Sequence, residues 1–551
     1  MRAMLLGLLT LFATAGATAQ QPSQAGQPQV SLETVQRVTR ELSSDAFEGR
    51  APGTPGETRT VELIAREFQR AGLQPGNQGS WYQDVPLVEI TLQGNPQMQI
   101  SGARSGPIAL NYRTDFVAAS YRAQPRIDIR DSELVFVGYG INAPERGWND
   151  YAGLDVRGRT VVILVNDPDW NADGLDGTFG GRAMTYYGRW TYKFEEAARQ
   201  GAAAAIIVHD TAPASYGWNV VENSWTGPQL YMRSADGGAS QTAANGWITN
   251  EAARRLLAAA GQDLDALTRA AQQRGFRPVP LGLRMSIGFD NSLREAMSRN
   301  VIGVLPGTSR ANEYVLNTAH WDHLGICRES GDDRICNGAV DNASGTAALI
   351  ALAEAQARAG RTARSQVFLA VTAEESGLLG SAYYAANPIY PLARTAGGIN
   401  IDSLTMHGNA RDFYAVGAGK SQLDAWLGRA VQAEGLTLNT GEPSPEAGYY
   451  FRSDQFSLAK LGVPMVYAKL GDDLLNGGRA AGQAWAQAYR ANRYHGPDDE
   501  YDESWDWSGA MRELRVFYRI GRELAESDQW PNWNEGDEFR AIRDRTADQR
   551  R

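Results

Sequence analysis

The sequence predicts an α/β fold, a three-layer α/β/α arrangement whose mostly parallel central sheet is covered by helices on both faces. Three observations carry this. From about residue 299, short apolar runs alternate with helical patterns, as parallel strands joined by crossover helices do. Those runs are apolar throughout, as strands buried on both faces are. Between about residues 114 and 285 the texture changes to a separate α/β pattern, which reads as an insertion into the first unit.

The elements follow in chain order. Arg2, the apolar stretch Met4 to Ala17 and the small-x-small Ala17-Thr18-Ala19 predict an export leader over residues 1–19. The run is short for a bilayer span and no later stretch could cross one, so no membrane span is expected after leader removal. A periplasmic or secreted protein follows. Residues 20–30, rich in Gln and Pro, predict a disordered linker. Ser31 starts a helix with Leu32, Val35 and Leu42 on one face, and after a Gly/Pro loop a second helix runs from Glu57 to Ala71. Short strands reach about residue 113. In the insert, strands are expected at Glu133–Ile141, Thr160–Val165 and Ala204–Asp210, and helices at Tyr192–Gln200 and Glu251–Gln273. Its one histidine, His209, ends a strand and reads as structural. Beyond it come strands at Val301–Leu305, Tyr314–Thr318, Gln366–Thr372, Gly398–Ile401, Phe413–Val416 and Pro464–Ala468. Helices are expected at Ser344–Ala359, Gly380–Ala386, Lys420–Glu434 and Ser508–Ser527. The charged tail, residues 531–551, reads as a solvated helix or as disordered.

Bulk properties exclude whole classes. The 551 residues are 43% hydrophobic, so a sizeable core can form. A net charge of −10 argues against nucleic acid or an anionic membrane as partner. There is no Gly-rich phosphate loop. The only two cysteines, Cys327 and Cys336, flank an acidic loop. Export permits a disulfide between them, and metal binding together with His323 is the alternative.

Three apolar strands end in metal-competent groups. Val315-Leu316 leads to His320, Phe368 to Val371 leads to Glu374 and Glu375, and Ile399 to Ile401 leads to Asp402. In open α/β sheets the carboxyl ends of strands are where sites are built. Asp341 precedes a small-residue helix start, and His495 lies far downstream. A carboxylate after a strand is often only a helix N-cap. Several such ends, with two of five histidines, are hard to explain that way.

The motifs HWDH, GAVDNASG, FLAVTAEESGLLGS, GGINIDS, FRSDQF with LGVP, and YHGPDDEYD, in this order over residues 317–504, resemble the co-catalytic di-zinc aminopeptidase family. That family also includes glutamate carboxypeptidase II and the transferrin receptor. The opening GRAPGTPGE is similar too, and residues 114–285 resemble, more loosely, a protease-associated domain. The resemblance implies a zinc-peptidase domain over residues 31–113 and 286–530 with the protease-associated insert at 114–285. It implies two zinc ions bridged by Asp341, with His320 and Asp402 completing one site and Glu375 and His495 the other. It makes Glu374 the general base, Asp322 the residue that orients His320, and Tyr494 the donor to the developing oxyanion. Tyr449, Tyr450 and Arg452 would border the substrate pocket; for Arg452 a structural ion pair with Asp454 or another acid is the other reading. His323 and His407 are left over and read as structural. The implied function is an exported aminopeptidase acting on peptide substrates. A carboxypeptidase of the same family, a receptor-like binding protein and a glutaminyl cyclase at a one-metal site are its rivals.

Overall fold

The computed structural model describes residues 29–104, 106–441 and 444–550. The expected leader and all but the last two residues of the linker lie outside them.

The central sheet has the strand order β1 (Tyr82–Gln93), β2 (Val279–Leu305), β4 (Arg364–Val371), β3 (Arg310–His320), β5 (Thr395–Asn400), β7 (Met465–Leu470) and β6 (Asp412–Val416). The middle four, β4, β3, β5 and β7, are parallel neighbours, while β1, β2 and β6 run antiparallel to theirs. The period of two explains why these strands read as continuous apolar runs. On β4, Phe368 and Ala370 face one core with Val315 and Ala319 of β3. Val367, Leu369 and Val371 face the other, with Leu316.

The first core is roofed by α1 (Leu32–Leu42), α2 (Pro55–Arg70), α3 (Gly345–Arg358), α5 (Leu423–Ala433) and α7 (Ser508–Glu526). The second is covered by α4 (Leu379–Ala386) through Tyr384 and Ala385. Ser31 caps α1 by accepting from the Thr34 amide, and Thr54 caps α2, with Pro55 at its start. The sequence reading did not include α6 (Gly478–Asn492). Only Gly482 of that helix is fully buried; its apolar stripe, Ala481, Trp485 and Tyr489, packs partly buried against the first core.

Residues 98–289 build separate apolar cores, one of which begins at Met98 and ends at Phe289. Met98, Ile100 and Leu110, ahead of the texture change at 114, turn inward into this core. It is joined to the central sheet by β2, whose 27 residues run through both. Arg284 to Asp290 pair with the strand Arg126–Phe136, and Asp290 to Val301 pair with β1. Side-chain bridges add to this link: Lys460 to Glu195 at 2.8 Å and Arg146 to Glu538 at 3.4 Å.

The tail corrects its expected solvation. Trp533, Phe539 and Arg543 are buried, and Arg543 donates to the carbonyls of Pro531, Thr395 and Ala396. A few buried anchors among many charges dock the segment, and charge density hides them in the sequence.

Candidate metal centre

His320 is the last residue of β3, so the strand delivers it to the carboxyl rim. Glu374 and Glu375 follow β4 by one turn, and Asp402 follows β5. Asp341 sits in the buried turn before α3, and His495 follows α6 on a segment left open to solvent. Six side chains from five parts of the chain thus converge on one rim.

Their spacing falls into two groups. His320 Nε2 lies 3.4 Å from Asp341 Oδ1 and 3.6 Å from Asp402 Oδ1. His495 Nε2 lies 3.3 Å from Asp341 Oδ2 and 3.1 Å from Glu375 Oε2. Asp341 offers one oxygen to each group. A zinc ion with donors about 2.0–2.2 Å away separates neighbouring donors by about 3.3–3.6 Å in a tetrahedron. The observed separations suit two such ions. Three of the four are longer than an ordinary hydrogen bond, the exception being His495 to Glu375, and His320 Nε2 is buried without a partner among the described residues. An orphaned imidazole nitrogen aimed at two carboxylates fits a cation. His320, Asp341 and Asp402 form one set of metal-competent donors, and His323, Asp341 and Glu375 a second.

Electrostatics point the same way. Burial opposes charging His320, yet Glu374, Asp322, Asp341 and Asp402 around it hold its protonation well above the ordinary range. Burial likewise works against His495, but Asp341 and Glu375 raise it to about 10. Burial would raise Asp341, and the two histidines hold it well below the carboxylate range. Glu374 is pushed well up, by burial and by Asp402, Glu375 and Asp454, with His320 opposing. So much enclosed negative charge is stable only with cations to balance it.

A frame of buried hydrogen bonds holds the donors. The Asp322 carboxylate accepts from the amides of Glu374 and Glu375 at 3.0 and 3.3 Å. Its Oδ1 is 3.7 Å from His320 Nδ1, which lies closer, at 3.2 Å, to the Asp322 carbonyl. Asn342 donates to the carbonyls of His320 and Ile401, tying two strand ends together. Two members of the frame were not singled out from the sequence. Asp499, fully buried, accepts from the amides of Val340 and Asp341 and from the Tyr489 hydroxyl, each at 3.1 Å. Burial raises it to about 6. Arg50, also fully buried, donates to the carbonyls of Leu42, Trp321, Asn337 and Gly338. Both stand inside quoted motifs, but only the fold shows what they touch. Gly338 has φ +53°, and a Cβ there would sit 2.1 Å from the Asp341 carbonyl oxygen and 2.5 Å from the His323 ring.

The expected pocket residues divide. Tyr494 is half exposed, its ring stacked 3.8 Å from that of His495. Tyr449 is exposed, with the Arg452 guanidinium 5.6 Å above its ring. Tyr450 is buried and donates to the Met465 carbonyl, so it walls the core instead of meeting a substrate. The Arg452–Asp454 ion pair is not formed: Arg452 points to solvent while Asp454 is fully buried, with neither oxygen hydrogen-bonded among the described residues. His407 packs against Trp485, centroids 4.7 Å apart.

Cys327 and Cys336 are disulfide-bonded, closing the loop between His323 and Asp341. Cys336 Sγ also lies 3.7 Å from the His495 carbonyl. Replacing both cysteines with serine is expected to lower stability by about 2–3 kcal/mol, from the closed loop's length. The measurement is the shift of the urea midpoint, which added reductant should reproduce in the native chain.

Residues 300–518 match the sequence family described as Peptidase family M28. The matched segment holds His320, Asp341, Glu374, Glu375, Asp402 and His495. A mouse relative, Aminopeptidase NAALADL1, is 31% identical over 137 residues, which are 23% of this chain and 17% of that protein. The match thus spans about a sixth of the relative's length. Two solved structures are similar in outline. An aminopeptidase from Aneurinibacillus sp. strain AM-1 has a TM-score of 0.47 and 21% identity, over 90% of this chain and 94% of that one. A zinc aminopeptidase from Bacillus subtilis has 0.41 and 17%, over 93% and 98%. Among the described residues no helix is long and apolar enough to cross a membrane.

Proposed function

We propose that this chain is an exported di-zinc aminopeptidase of the M28 type. The observation that carries the reading is the pair of donor groups sharing Asp341, with Glu374 beside them. His320, Asp402 and one oxygen of Asp341 would hold one ion; His495, Glu375 and the other oxygen would hold the second. When bound, two such ions polarise a carbonyl and acidify water at neutral pH. The chain supplies the rest. Glu374 is the base: its carboxylate takes the proton of the attacking water and hands it to the leaving amine. Its amide is pinned by Asp322, which fixes the direction of the side chain. Tyr494, next to His495, would donate its hydroxyl hydrogen to the oxygen that gains charge as the carbonyl is attacked.

The acid-rich rim supports recognition of a free amine, hence cleavage at the N-terminal end. The leader-like N-terminus and the disulfide support export. The insert at residues 114–285, read as a protease-associated domain, flanks the loop before Arg452: the Met184 amide donates to the Pro445 carbonyl. That position suits a wall limiting substrate size.

The test is hydrolysis of aminoacyl-p-nitroanilides by the purified chain, with and without o-phenanthroline, and with zinc measured on the same sample. Chelator-sensitive release with close to two zinc per chain is expected. N-acetylated substrates should not be cut. Cleavage of N-acetylated peptides at their C-terminal residue would replace this reading with a carboxypeptidase.

A further inference from the structure

His323 has a buried ring with a single polar contact: Nδ1 lies 2.6 Å from Glu375 Oε1. Its Nε2 is buried and without a hydrogen-bond partner among the described residues. A core histidine kept for packing alone usually satisfies both ring nitrogens. This one spends its only bond on a residue of the metal centre. The distance decides what kind of bond it is. Two donors on one zinc stand about 3.3–3.6 Å apart, so 2.6 Å is too short for a shared ion and right for a charge-assisted hydrogen bond. Glu375 is therefore gripped at both oxygens, Oε1 by His323 and Oε2 by the group containing His495 at 3.1 Å.

We infer that His323 is a positioning residue that donates from Nδ1 to Glu375 Oε1 and leaves Oε2 alone to serve the second metal group. The inference rests on the two-metal reading above. A carboxylate's terminal torsion is broad, so an unrestrained Glu375 can turn both oxygens or neither toward an ion. The ring is itself fixed. It lies flat on Gly338, where even a methyl group would meet Cγ and Cδ2 at 2.5 Å, and its own amide donates to the Arg50 carbonyl at 3.4 Å. The same glycine leads into the turn that carries Asp341. One ring thus relates the Glu375 and Asp341 segments across the metal centre.

The test compares two substitutions by zinc affinity, measured by chelator competition on the full mature chain. His323→Asn keeps an amide donor near the position of Nδ1. His323→Gln fills similar volume but carries its amide near the position of Nε2. His323→Gln is expected to weaken one of two zinc equivalents by about 10–100-fold, the usual cost of losing such an outer partner, and to leave the other unchanged. His323→Asn is expected to stay within a few-fold of the native chain at both. Equal affinities in all three proteins would overturn the inference, as would His323→Asn losing as much as His323→Gln. Equal loss at both equivalents would also overturn it, by showing a general loosening. A native chain binding fewer than two zinc ions would instead overturn the two-metal reading, and this inference with it.

Discussion

Glu374→Gln is expected to cut kcat by about 10²–10⁴-fold while leaving fold and zinc content unchanged. The amide keeps the side chain's volume and one oxygen, but it cannot take a proton. Glu374 is not a member of either donor set, so the metals should stay. Burial and the acids Asp402, Glu375 and Asp454 push its proton affinity well up, with His320 opposing. That is the environment of a group that takes a proton and gives it back. Turnover on a p-nitroanilide, zinc content and the thermal unfolding curve, measured on one preparation, check the result. Native-like turnover in the variant would remove Glu374 as base.

Arg50→Met is expected to destabilise the first unfolding transition by about 3–5 kcal/mol, read as a fall in urea midpoint. The guanidinium is fully buried and answers four main-chain carbonyls at 2.6–2.9 Å. Methionine fills the space and leaves all four acceptors dry, and each buried orphan costs about 1–3 kcal/mol before relaxation. Burial lowers the Arg50 pKa to about 10, against the pull of Asp499, Asp322, Asp341 and Glu375, so it is still charged at neutral pH. It is a fixed positive charge beneath the acid-rich rim. Arg50→Lys should recover part of the loss, since an ammonium has three donors and no planar fork.

The site was legible where chemistry follows strand ends. His320, Glu374, Glu375 and Asp402 stand within a few residues of apolar runs, and the structure brings them to one rim. Asp341 and His495 depended on the motif resemblance, since no strand announces either. What stayed hidden is what long-range contact alone defines. Asp499 reaches Asp341 across 158 positions, and Arg50 reaches Gly338 across 288. A buried Asp or Arg looks like a surface residue in sequence, because residue type reports the usual environment and not the actual one. Tyr450 shows the converse: an aromatic beside an exposed Tyr449 reads as pocket lining until its hydroxyl is found bonded to Met465 inside the core. The sheet was the more readable part, since its two cores sort odd and even residues of each strand.

The 27-residue strand β2 has a mechanical meaning. A flanking body hung on flexible linkers can swing and act as a door. Here residues 98–289 share a paired strand with the catalytic sheet, registered on β1 from Asp290 to Val301 and on β4 from Val301 to Leu305. Tilting that body against the metal rim means bending or shearing a ladder whose every hydrogen bond resists. The sheet itself therefore sets where that body stands against the metal rim.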